Sequence, residues 1–338
     1  MNVFLKGLVF IGLISFFSFK HTQKPSEIKK VSATPTGYYL EQGWPQLSFG
    51  YHLSQPSGIG IDTSQNIFVF NRPGRVWTDP FPDTLISKDA ILMLDRKTGK
   101  IINSWGSDLF IMPHGLTVDQ NNNVWVTDVS LQEVFKFSHE GKLLMKIGIT
   151  RETGSDSLRF NQPTDVAVAP DGSFYVSDGY QNSRIVKFSA DGKYLFEWGT
   201  RGSKSGQFNI PHAIDLDKSG NVYVADREND RIQVFDANGK FLKQFNEKLL
   251  EDLYSITIDK LNQHLFAVDF LVIWKYFTKG SNIMEYDENG RLLTRFGRAT
   301  ATDGPITRYH DITVDNEGSI YVCDLIGNRI QKFRKSSP

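Results

Sequence analysis

"TDVAVAPDGSFYVSDGYQNSRIVKFSADGKYLFEWG", residues 164–199, holds four short alternating runs separated by turn residues. Apolar side chains recur at every second position within a run, which is the period of a strand buried on one face. Asp171-Gly172, Gln181-Asn182 and Asp191-Gly192 fall between the runs, and such residues supply tight turns. The stretch predicts a four-stranded antiparallel meander.

Its template recurs along the chain. The matching segments are "SGIGIDTSQNIFVFN" (57–71), "HGLTVDQNNNVWVTD" (114–128), "HAIDLDKSGNVYVAD" (212–226), "YSITIDKLNQHLFAVD" (254–269) and "HDITVDNEGSIYVCD" (310–324). Most continue into a third strand such as "NDRIQVF", and several into a fourth such as "LLTRFG". Four strands per unit, at roughly 40–57 residues per unit, is the pattern of a β-propeller blade. Counting residues 164–199, six units fill residues 45–335, so the expected fold is an all-β, six-bladed propeller. Radial packing buries both faces of each sheet and leaves only short edges.

Composition agrees. Aromatic residues make up 13% with 25 Phe, which favours strands over helix bundles. Lys plus Arg and Asp plus Glu each number 38, so no basic field argues for nucleic acid and no acidic run for a disordered tail. A monomer is expected. The single cysteine, Cys323, allows no intramolecular disulfide and no lipid-modified cysteine near the N-terminus.

Residues 1–20 differ in kind. Lys6, an uncharged run from Gly7 to Phe19 and then Lys20 predict a signal peptide, with an uncleaved membrane anchor as the alternative. The expectation is an exported protein, with residues 21–44 as a linker and 45–338 as the propeller domain.

In a propeller the first strand of each blade lines the central channel. The residues that open these strands are Ser57, His114, Thr164, His212, Tyr254 and His310, so histidine falls on every even blade. His114, His212 and His310 stand 98 residues apart each time, and alternate blades of a six-bladed ring lie about 120° apart. A lone histidine at a strand start is ordinarily a polar lining residue. Three on alternate blades, in a chain with only seven histidines, predict a metal site with three imidazole ligands and an open position. Zinc is the expected occupant, although iron, copper and manganese also accept imidazole.

The residue after the second-strand Asp or Asn sits at the rim. Blades 1 and 4 carry Arg72 and Arg227 there, and blade 3 offers Tyr180 one residue further on. Each taken singly is an ordinary loop residue. Together above a metal they predict a site for an anionic substrate, because the guanidinium fork matches a carboxylate.

The pattern D-x-x-G-x-x-Y-V-x-D…N-x-R-I-x-x-F resembles the NHL repeat. More specifically, "MPHGLTVDQNNNVWVTDVSLQEVFKF", "NQPTDVAVAPDGSFYVSDGYQNSRIVKFS", "GQFNIPHAIDL" and "HDITV" resemble the peptidyl-α-hydroxyglycine α-amidating lyases, the lyase unit of peptidylglycine α-amidating monooxygenase. That resemblance, over residues 45–335, implies zinc on His114, His212 and His310. It implies a tyrosine base at Tyr180 and active-site arginines at Arg72 and Arg227. It also implies a structural calcium held by the Asp311 carboxylate and the carbonyls of Ile59 and Leu116. The implied substrate is a small peptide or N-acyl compound ending in α-hydroxyglycine, cleaved to an amide and glyoxylate.

Departures from the family are visible. Tyr309 rather than proline precedes His310, Asn161 and Gln181 stand where relatives place disulfide cysteines, and blade 5 matches poorly in "VDFLVIWKYFTKGSNIMEY". No copper monooxygenase unit is expected within these residues. Two rivals stand beside the lyase: a calcium-dependent propeller lactonase or esterase, which should use carboxylate and Asn ligands, and a non-catalytic propeller binding a protein or glycan. Fold alone does not separate them.

Overall fold

A computed structural model describes residues 37–245, 252–273, 277–297 and 306–336. Its main strands form six four-stranded antiparallel sheets, so the expected six-bladed all-β propeller is what the chain adopts. The innermost strands are Gly58–Ile61, Pro113–Val118, Pro163–Val168, Pro211–Leu216, Leu253–Ile258 and Tyr309–Val314. Each packs against the next, and Gly58–Ile61 meets Tyr309–Val314 to close the ring.

Burial follows strand order. The second strands, such as Val124–Asp128 and Phe174–Asp178, are buried along their whole length, while the fourth strands Leu143–Ile147 and Tyr194–Trp198 are largely exposed. Adjacent blades share their apolar faces. Trp125 and Val134 of blade 2, for example, pack with Phe160, Phe174 and Val176 of blade 3. Burial of each such side chain contributes about 1.5–3 kcal/mol.

The last blade is closed by the beginning of the chain. Tyr38–Leu40 pairs antiparallel with Arg329–Lys335, Tyr38 opposite Lys335 and Leu40 opposite Phe333. The propeller therefore starts inside the stretch read as linker. Three residues are too short to show an alternation. The poor match in blade 5 also has a physical cause. Leu271–Ile273 and Phe277–Gly280 form a separate two-stranded sheet between that blade's second and third strands. Residues 1–36, which carry the expected signal segment and most of the linker, lie outside the described residues. No helix among the described residues is long and apolar enough to cross a membrane.

The Asp and Arg that recur in blades 3, 4 and 6 have a structural task. Asp178 ends its strand fully buried and accepts from Asn161 N–H, Asn182 Nδ2 and Arg184 Nε at 2.9, 2.7 and 2.9 Å. Asp226 with Arg231 and Asp324 with Arg329 repeat the pairing at 2.7 and 3.0 Å. These locks fix the loops that leave the second strands. Tyr180 and Arg227 ride on two of those loops.

Candidate metal centre and active site

The three predicted histidines converge. One ring nitrogen from each of His114, His212 and His310 lies within 4.8 Å of the others, and all three side chains are buried. A backbone irregularity accompanies them. The register of the inner strand shifts between Pro113 and Leu116, between Pro211 and Ala213, and between Tyr309 and Asp311. Each shift leaves the histidine unpaired in the ladder, and the same shift recurs at Thr164 and Tyr254 on two odd blades, so it belongs to the inner strand of the repeat.

The odd blades supply the support. Nδ1 of His114 lies 2.7 Å from the Thr164 carbonyl, that of His212 2.6 Å from the Tyr254 carbonyl, and that of His310 2.7 Å from the Ser57 carbonyl. A carbonyl only accepts, so each Nδ1 carries the proton and each Nε2 keeps its lone pair. The three acceptors are the residues that open the odd blades. Their hydroxyls work as well: Ser57 Oγ donates to the Pro113 carbonyl at 3.1 Å, and Thr164 Oγ1 to the Pro211 carbonyl at 2.8 Å. Gly115 permits this approach, since a Cβ there would come 2.4 Å from the Thr164 carbonyl oxygen.

Burial lowers the basicity of all three rings, for His114 down to about 3, with the nearby Arg72 cation adding to the effect. Three neutral imidazoles thus present lone pairs to one point. The Tyr180 hydroxyl lies 2.9 Å from His114 Nε2 and 3.1 Å from His212 Nε2. Its single proton satisfies one of them. This donor set, with fixed tautomers and backbone carbonyls behind every ring, fits a nitrogen-seeking divalent metal.

The predicted rim residues are also brought in. The Arg227 guanidinium carbon lies 5.4 Å from the Tyr180 ring centre and 5.1 Å from that of Tyr254. Arg227 is paired with Glu228 at 2.8 Å. Arg72 is fully buried; its Nε donates to the Pro113 carbonyl at 2.8 Å and its Nη1 to Gln55 Oε1 at 3.2 Å. Burial moves its pKa down to about 10. Burial raises the Tyr180 hydroxyl above its usual value, against the opposing pull of Arg227, Arg72 and Arg308.

Sequence reasoning missed three neighbours. Trp77 lies 5.2 Å from the Tyr180 ring and 5.4 Å from the Arg72 guanidinium. The signal was the unusually long connection between Ile67–Phe70 and Ile91–Leu94 that carries it. Tyr254 was placed in the channel but given no task; its ring stands 5.2 Å from His212 and 5.6 Å from His310. Arg308 stands two residues before His310, where Met112 and Ile210 precede the other two histidines.

Ile59, Leu116 and Asp311 line one stretch of the channel wall beyond the histidines. There a cavity of about 550 Å³ opens towards the opposite face of the ring. This cavity is not the space enclosed by the three histidines. Asp311 accepts from Ile59 N–H at 2.7 Å, Ser255 Oγ at 2.7 Å and Ile312 N–H at 2.9 Å. Burial pushes its carboxyl up to about 7, and burial with the neighbouring Asp311 charge raises Asp165 as well. Neither has a basic side chain within salt-bridge distance among the described residues.

Known proteins share both the repeat and the fold. The NHL repeat model matches residues 110–137, 160–188 and 208–235, the inner three strands of blades 2, 3 and 4. The chain is a six-bladed β-propeller that carries NHL repeats in three of its blades and has a buried three-histidine axis. A virginiamycin B lyase from Staphylococcus aureus shares the fold, with a TM-score of 0.53 and 16% identity over 88% of this chain and 99% of that one.

Among curated proteins, the chain is similar to amidating lyases and to proteins that contain such a unit. The chain is 36% identical to peptidyl-glycine alpha-amidating monooxygenase B of Xenopus laevis, over 87% of its own length and 35% of the relative's. It is 34% identical to peptidyl-alpha-hydroxyglycine alpha-amidating lyase 1 of Drosophila melanogaster, over 91% of its own length and 61% of the relative's. The chain thus spans between about a third and three fifths of the curated relatives it matches.

Proposed function

We propose that this protein is a zinc-dependent lyase that cleaves peptidyl-α-hydroxyglycine, or a related N-acyl hemiaminal, to a primary amide and glyoxylate. One observation carries it: three imidazole lone pairs, fixed by Nδ1–H bonds to backbone carbonyls, face one point beside the hydroxyl of Tyr180. The names of the relatives support the same reaction class. A lactonase built on carboxylate and Asn ligands fits this axis less well, and an inert binding module leaves the three histidines without a task.

A zinc ion held by His114, His212 and His310 would supply the positive charge that makes the substrate hydroxyl acidic. The same charge, with the arginine cations, favours the phenolate of Tyr180 against the cost of burial. As phenolate, Tyr180 takes the hydroxyl proton of the hemiaminal. The freed electron pair forms the aldehyde C=O while the C–N bond breaks. The leaving amide nitrogen takes the proton back from Tyr180, so atoms and charges balance. An arginine at the rim holds the substrate carboxylate throughout.

Calcium on Asp311 with the Ile59 and Leu116 carbonyls is part of the same proposal. Two buried carboxylates, Asp165 and Asp311, without a cationic partner suit a hard, oxygen-seeking ion. Export through the N-terminal segment, and action as a monomer, complete the proposal.

The test is glyoxylate release from α-hydroxyhippurate by purified protein of measured metal content. The wild-type protein should release glyoxylate and benzamide in equal amounts, and His212→Ala should lose both zinc and turnover. Full activity in His212→Ala, or none in the zinc-loaded wild type, would contradict the lyase assignment.

A further inference from the structure

We infer that Arg308 is a third arginine of this site and that, with Arg72, it binds the carboxylate of the substrate; only the identity of that acid rests on the lyase proposal. The Arg308 backbone is pinned to the end of the last blade's second strand. Its N–H donates to Asp324 Oδ1 at 2.9 Å, and its carbonyl accepts from Leu325 N–H at 2.9 Å. The guanidinium lies 5.2 Å from the Tyr254 ring centre and 5.0 Å from that of Phe270, and Nη2 donates to the Tyr254 hydroxyl. Tyr254 in turn borders His212 and His310, so Arg308 is held beside the metal-binding rings.

The charges around the axis do not balance. Arg227 has Glu228 at 2.8 Å. Arg72 and Arg308 have no carboxylate within salt-bridge distance among the described residues, and Asp252, whose charge Arg227 and Arg308 favour, also lies beyond that distance. Arg72 Nη2 and Arg308 Nε are each buried without a hydrogen-bond partner. The two cations are close enough for Arg308 to disfavour the charge on Arg72. Buried guanidinium N–H groups without acceptors are costly. An anion between the two would satisfy both.

Nothing in the ring itself requires an arginine at this point. The matching places in the other two histidine blades hold Met112 and Ile210, so an apolar residue closes the channel equally well. A small planar carboxylate fits the two free donors and the flat walls of Tyr254, Phe270 and Trp77. Arg227, already neutralised by Glu228, is left to act on Tyr180, which its guanidinium covers.

The test is direct binding to the zinc-loaded full chain, with hippurate and its neutral isostere hippuramide as probes, followed by calorimetry. Wild-type protein should bind hippurate at least about tenfold more tightly than hippuramide. Arg308→Gln should abolish most of that preference while leaving hippuramide binding and zinc content unchanged, and Arg308→Lys should keep part of it. In turnover of α-hydroxyhippurate, Arg308→Gln should raise KM more than it lowers kcat. Should Arg308→Gln fail to fold, Arg308→Met, which installs the side chain found at position 112, provides the same comparison. An undiminished preference for hippurate in a folded, zinc-loaded variant overturns the assignment, and so does an equal loss for both probes. Loss of the preference in a protein that releases no glyoxylate supports the role of Arg308 and rejects the lyase reaction; the reverse pattern does the opposite.

Discussion

The Nδ1–H of His114 donates to the carbonyl of Thr164 at 2.7 Å, and this one bond decides which ring nitrogen faces the channel axis. The acceptor belongs to the next blade, so packing between blades and the tautomer of a proposed metal ligand are the same contact. Gly115 makes the contact possible, because a Cβ there would meet the Thr164 carbonyl at 2.4 Å and the Asp165 Cα at 3.0 Å. Gly115→Ala should therefore push blade 3 outward. We predict a loss of about 1–3 kcal/mol in denaturant unfolding, typical of overpacking, together with weaker zinc retention against a chelator. An alanine variant with wild-type stability and zinc affinity would show that the approach is not tight.

Tyr180 is predicted to act on the substrate and not on the metal. Tyr180→Phe removes the hydroxyl that reaches His114 and His212 but keeps the ring between Trp77 and Arg227. Zinc content should stay at the wild-type level while kcat falls by roughly 10²–10⁴, the usual worth of a positioned acid–base group. An unchanged kcat removes Tyr180 from the mechanism.

The loop that carries Tyr180 depends on the buried pair between Asp178 and Arg184, which meet at 2.9 Å with side chains 0% and 5% exposed. Arg184→Ala leaves the Asp178 carboxylate buried without its cation. A loss of about 3–5 kcal/mol is expected, read from equilibrium unfolding. A loss below about 1 kcal/mol would mean that Asn161 and Asn182 satisfy Asp178 alone.

Much of this was legible in the chain. Alternating runs and turn residues predicted the blades, and their register alone brought His114, His212 and His310 onto one axis. The supports of those histidines were hidden, because Ser57, Thr164 and Tyr254 act through backbone carbonyls that every residue possesses. Arg308 was hidden for a different reason. It lies just outside the repeating template, at a position where the other histidine blades are apolar. The closing strand Tyr38–Leu40 is too short to carry a period.

Asp311 predicts a dependence on pH. Its folded-state pKa is raised to about 7 by burial, above the unfolded value of about 3.9. The unfolded chain therefore loses this proton first, and the contribution of Asp311 to stability falls as pH rises from about 4 to about 7, then stays level. With calcium chelated, the melting temperature of Asp311→Asn relative to wild type should accordingly be higher at pH 8 than at pH 4. Added calcium should raise the wild-type melting temperature at pH 8 and leave that of Asp311→Asn unmoved. A calcium response equal in both proteins would remove Asp311 from the ligand set.

The most direct test of the whole account is a zinc titration into metal-stripped protein, followed by glyoxylate release from α-hydroxyhippurate. The three-histidine axis predicts that activity is absent at the start, rises in proportion to added zinc and saturates at about one ion per chain, as a single His₃ site requires. Glyoxylate release by the stripped protein, or none after zinc has bound, would contradict it.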